Sequence, residues 1–188
     1  MNWQPYRLYI VVGVVAVVSA WLADLSEKGD EESTVVLHNG ADYFSQGYSK
    51  TEMNESGVPK SDLIADSMMH HSGDGTVHLQ HPVMTLYNDS LPPWVIQSES
   101  GILSADGDNL QLNGKVHINR EGGKGVSPLT VNTSQMRVRL PDNYAETDEW
   151  AEIISPPNRT TGIGMKTTFV EPVHLRLLRK VKGRYEVN

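Results

Sequence analysis

A chain of 188 residues is long enough for one domain with a real core plus a tail. It holds no cysteine, which excludes a disulfide framework and any Cys-based metal site. The formal net charge is −7, and all 23 acidic residues lie from Asp24 onward, leaving no basic field for a nucleic-acid partner.

Taken in chain order, the first element is apolar. Residues Leu8 to Ala23 carry no charge, and Arg7 and Asp24 bound them. A spanning helix wants roughly 20 apolar residues, and Tyr6, the Arg7 stem and Leu25 make up most of the shortfall. The expectation is a transmembrane helix over 7–25 after a short cytoplasmic terminus, 1–6. Arg7 precedes the segment, and Asp24, Glu27, Asp30, Glu31 and Glu32 follow it, so the positive-inside rule puts the remainder outside. A cleaved signal peptide, with Val18-Ser-Ala20 as its site, is the alternative reading. Gly13, Ala16 and Ala20 form a small-residue face that lets helices approach closely, or else they are filler.

Residues 26–40 are polar and acidic, as in a linker. From residue 41 to the end, period-2 alternation replaces any helical period. Leu110, Leu112, Val116 and Ile118 alternate with polar residues; so do Met136, Val138 and Leu140. Turn signals recur at Asn39-Gly40, Glu55-Ser-Gly57, Ser72-Gly-Asp-Gly75, Asp106-Gly-Asp108 and Pro141-Asp-Asn143. Many short strands with regular turns point to an all-β sandwich, barrel or jelly roll with one wet face. A weak repeat matches Val77, Leu79 and Val83 to Leu110, Leu112 and Val116, and Pro82 marks an edge or bulge.

Few residues invite chemistry. His70, His71, His78 and His81 lie close in sequence, yet on strands neighbours and residues three apart point to opposite faces, so exposed histidines are favoured over a metal site. No HExxH, phosphate-cradling loop or nucleophile elbow is present, and no cofactor is expected. The basic cluster Arg176, Arg179, Lys180, Lys182 and Arg184 reads first as edge protection and second as a surface for acidic partners.

Several stretches resemble the LptC family over essentially the whole chain. They are the N-terminal apolar segment with its acidic linker, Ser61-Asp-Leu-Ile-Ala-Asp66, His81-Pro-Val-Met-Thr-Leu-Tyr87, Pro93-Trp-Val95, Leu110-Gln-Leu-Asn-Gly-Lys-Val116, Thr161-Gly-Ile-Gly-Met-Lys166 and Val181-Lys-Gly-Arg-Tyr-Glu-Val187. The resemblance implies a periplasmic β-jelly roll of two twisted antiparallel sheets behind a single-pass inner-membrane anchor. It implies lipopolysaccharide transport without catalysis. The chain would receive the lipid from LptF and LptG, driven by the ATPase LptB, and pass it through an apolar groove to LptA at the C-terminal edge.

Within that frame the groove residues are expected to be Tyr48, Leu79, Leu112, Val138, Leu175 and Tyr185. Leu112 and Val138 are equally explained as closed core. Gly162, Leu177, Val181, Tyr185 and Val187 are expected at the docking edge, with Gly162 at a positive φ or a close backbone approach. A reading from another class, an anchored periplasmic hydrolase or glycan-binding domain on a β-sandwich, calls for a polar constellation among inward positions. The inward positions legible in the sequence are apolar.

Overall fold

The structure, a computed structural model, describes residues 12–22, 41–88, 91–123, 125–170 and 172–185. The chain divides into two compact units, Met1–Leu37 and His38–Asn188. In the first, a helix runs over residues 12–22 and exposes its valines, Trp21 and Leu22. At 1.5 Å per residue it covers about 16 Å, half a hydrocarbon core. No helix among the described residues is long and apolar enough to cross a membrane. Residues 7–11 and 23–25, which would complete the expected span, lie outside the described residues, as does the linker over 26–40.

Among the described residues the second unit has ten strands: β1 (Ala41–Met53), β2 (Pro59–His71), β3 (Val77–Gln80), β4 (Val83–Asn88), β5 (Leu91–Leu103), β6 (Asn109–Arg120), β7 (Leu129–Arg139), β8 (Tyr144–Ser155), β9 (Asn158–Thr168) and β10 (Leu175–Arg184). Every pairing is antiparallel, and the order follows the chain from β1 to β10, with β4 also pairing β2 and β5. The turns predicted at Glu55–Gly57, Asp106–Asp108 and Pro141–Asn143 close as expected. Gly57 N–H donates to Asn54 O, Gly107 N–H to Ser104 O, and Asn143 N–H to Leu140 O.

The expected two sheets are thus halves of one continuous sheet, creased where strand after strand breaks register. The breaks fall at Ser98/Ser100, Leu112/Lys115, Asn132/Arg137, Thr147/Trp150 and Arg179/Lys182. Positive φ follows the same line at Gly47, His81, Gly114, Gln135, Gly164 and Lys180. An extra residue on one strand bends it and sharpens its twist, so a row of such bulges folds the sheet over. Contacts across the fold confirm the closure. Trp94 of β5 meets Phe169, just past β9, edge to face at 5.4 Å, although the two lie in opposite halves.

Folding over leaves one face dry. In one half the inward rows are Met68–Leu79–Gly101–Leu112–Met136 and Val77–Leu103–Leu110–Val138–Ala145–Thr167–Leu175. In the other the row is Leu63–Met84–Ile96–Ile118–Val131–Ile153. Most of these side chains are fully buried. Burial is worth about 1.5–3 kcal/mol for each large apolar side chain, which makes these rows the stabilising core. The repeat of 33 survives only to the crease. His81 and Gly114 share its positive φ. Beyond it Val83 faces out beside Ile64, and Met84 is the buried counterpart of Val116. The break between β3 and β4 at Pro82 shifts the phase by one residue, and one residue flips a strand's faces.

Candidate lipid groove and open edges

Among the described residues β1 pairs only with β2, and β10 only with β9. The folded sheet is therefore open along one side, with a bare strand at each lip. The predicted groove residues divide according to that opening. Leu79, Leu112 and Val138 sit on central strands and are sealed, at most 1% exposed. In this conformation they are the floor of the fold and pack as closed core. Tyr48 on β1 and Leu175 on β10 are half-buried against that core, at the two lips. Burial also pushes the Tyr48 phenol up from its ordinary pKa.

Tyr185 follows β10 and is 68% exposed. Gly183 lies in register with inward Thr160 and Ile153, and a Cβ there would run into the Tyr185 ring. The ring therefore leans over the inner face, whereas Arg184, in register with Arg159, points out.

The residues expected to dock fall on or beside β10, which among the described residues is an edge strand and not an internal one. Leu177 is half-buried on the inner face opposite Met165, and Val181 is exposed. Val187 lies outside the described residues. Gly162 is buried on β9 opposite Ala151. A Cβ on it would lie 3.1 Å from Leu177 Cβ and 3.2 Å from the Arg179 carbonyl oxygen. Close approach is thus the reason for Gly162; the positive φ of that motif belongs to Gly164.

Most of the charge lies on the outer face. Arg137 donates to Glu146 at 3.2 Å and to Asp148 at 3.0 Å, and the Tyr144 hydroxyl donates to Glu146 at 2.8 Å. The Tyr144 hydrogen bond, with Arg137 behind it, holds the Glu146 carboxyl below its usual range despite some desolvation. Outward Arg176 extends this row through Lys166.

The histidines are not all on the exposed face expected for them: His70, in register with Val77, is half-buried, stacks on Tyr43 and contacts Asp42, whereas exposed His81 contacts Asp66. His71 and His78 do meet, with ring centroids 4.3 Å apart. No group of three or more potential metal ligands occurs among the described residues.

One inward charged residue escaped the sequence reading. Arg120, paired with Trp94 across β5 and β6, is 9% exposed and lies over the Trp94 ring, 4.5 Å from its centroid. Inward phase was legible for Ile118 two residues earlier, and extending it would have found Arg120.

A single antiparallel meander, folded over a dry face and unclosed between its first and last strands, is a jelly roll of the LptA-like class. The same fold is seen in the crystal structure of LptH, the LptA-homologous periplasmic component of the lipopolysaccharide transport device of Pseudomonas aeruginosa. The TM-score is 0.54 and the identity 11%, over 68% of this chain and 95% of that one. The family is given by sequence: residues 8–186 match the family described as lipopolysaccharide-assembly, LptC-related, and the chain belongs to it. No curated protein matches the chain.

Proposed function

We propose that this chain is the inner-membrane-anchored periplasmic relay of lipopolysaccharide export. It takes the lipid from the LptB-driven LptF–LptG transporter at the β1 edge and hands it to LptA at the β10 edge. The observation that carries the reading is the open side of the sheet, where Tyr48, Leu175, Leu177 and Tyr185 bring the apolar inner face to the lips. Each buried acyl methylene contributes about 0.8 kcal/mol, so several chains bind without special polar chemistry and no catalysis is needed. Bare edges at both ends suit strand addition, with main-chain hydrogen bonds giving affinity and side chains giving register.

The helix over residues 12–22, apolar all round, suits a membrane. Its Gly13, Ala16 and Ala20 provide a face for close packing by the transporter's helices.

Titrating the full chain with intact and with deacylated lipopolysaccharide tests the reading. Loss of the acyl chains should weaken binding at least a thousandfold, since even a few buried methylenes account for that. Binding within tenfold of the intact lipid would place recognition in the headgroup and overturn the groove.

A further inference from the structure

One sizeable cavity lies away from the inner face. It is a bay of about 720 Å³ along the crease, on the outside of β5 to β8. Its wall carries Gln97 and Glu99 of β5, Lys115 and His117 of β6, Asn132 of β7 and Trp150 of β8. We infer that this bay is a saccharide site, which takes an uncharged pyranose on Trp150 with its hydroxyls held by the surrounding polar side chains.

The bay is built by the sheet itself. Between Asn132/Glu152 and Arg137/Glu146 the β7–β8 ladder lapses. Two buried threonines bridge the gap: Thr133 Oγ1 donates to the Trp150 carbonyl at 2.8 Å, and Thr147 Oγ1 donates to the Ser134 carbonyl at 2.7 Å. The lapse turns Trp150 outward, opposite Ile163 and beside buried Ala151, and leaves it 49% exposed. A large indole on the outer, wet face gains nothing for the core. It offers a flat apolar surface of the kind that a pyranose ring's C–H face covers.

The polar groups around it are ordered. His117 Nδ1 lies 2.8 Å from Asn132 Oδ1, Asn132 Nδ2 donates to Glu152 at 3.0 Å, and Glu152 is ion-paired with Arg159. The chain of contacts fixes the Asn132 amide and the His117 ring before any ligand arrives, which lowers the ordering cost of binding. The Glu99 carboxylate lies across Gly114, where any Cβ would collide with it. Glycine at the β6 bulge thus makes room for that carboxylate at the edge of the bay.

The same lining argues against other ligands. Glu99 and Glu149 on the wall repel an anion, and Lys115 between them offsets part of the field that would draw a cation. Strands β5 to β8 lie inside the sheet, so the bay offers no free edge to an extended peptide. Carboxylate and amide acceptors beside ammonium and amide donors suit hydroxyls, which both donate and accept.

Ligand-observed saturation-transfer NMR on the full chain, in a detergent without a sugar headgroup, tests the inference. The probes are an N-acetylglucosamine disaccharide and a dephosphorylated oligosaccharide from the lipopolysaccharide core. Transfer to ring protons should fall at least threefold in Trp150→Ala and in Lys115→Ala, and should persist in Ile64→Ser, which changes the outer face elsewhere. Stronger transfer with the disaccharide marks a cell-wall glycan, and stronger transfer with the core sugar marks the transported lipid; both support the site. Absence of transfer with either probe overturns it. So does transfer that both bay variants leave unchanged, or that inorganic phosphate displaces. The inference does not rest on acyl binding, and either can fail without the other.

Discussion

Replacing Gly162 by alanine puts a methyl group where the structure leaves no room for one. The new Cβ would stand 3.1 Å from Leu177 Cβ and 3.2 Å from both Leu177 Cδ1 and the Arg179 carbonyl oxygen. Two of those atoms belong to the rigid part of β10, so relief comes only from moving the strand outward by a few tenths of an ångström. Overpacking of this kind costs about 1–3 kcal/mol. In a domain of this size that corresponds to a fall in Tm of about 4–8 °C for a cost of about 2 kcal/mol. The loss should be local as well, because β10 is held by β9 alone among the described residues. Amides of β10 should exchange faster while those of β6 and β7 hold. Gly162→Arg asks the same space for a full side chain and should free β10 from its half of the sheet. Melting curves and hydrogen exchange measure both effects. An alanine variant as stable as the parent, with β10 protection intact, would refute the close-approach account.

Two further outcomes follow from the same geometry. Glu146 and Asp62 are held below their ordinary pKa, chiefly by the hydroxyls of Tyr144 and Tyr87. Depressed carboxylates contribute stability that is full above the unfolded value near about 4 and lost as pH falls through the folded values below it. Tm should therefore be flat from neutral to about pH 5 and fall below, and Glu146→Gln should flatten that acid limb; parallel curves for the two proteins would contradict the assignment. Deleting Leu178 to Asn188 removes seven of the ten residues of β10 and should abolish capture of LptA while leaving the protein in the inner membrane. Undiminished capture would remove β10 from the handover.

What was legible in the sequence was whatever a two-residue period carries. The alternation of Leu110, Leu112, Val116 and Ile118 named an all-β fold and the dry face, because on a strand alternation is burial. It could not separate floor from lip. Leu112 and Tyr48 share the inward phase, and only the strand order shows that one is central and the other at an opening. Of the crease only Pro82 was read, as an edge or bulge; Gly114 passed as part of a motif, and positive φ at Gln135 and Lys180 leaves no mark in residue type. Val83 was misphased because one inserted residue exchanges the faces of everything after it. The bay escaped for a related reason. Gln97, His117 and Asn132 are ordinary wet-face residues along their own strands, and they become a cluster only once three strands stand in register.

The central claim is that the lipid lies on the inner face, and neighbouring residues of one strand end test it most directly. A photo-crosslinker at Tyr185, and another at Tyr48, should capture lipopolysaccharide in living cells. One at Arg184, a single residue away but in register with outward Arg159, should not. Equal capture at all three positions would contradict the account.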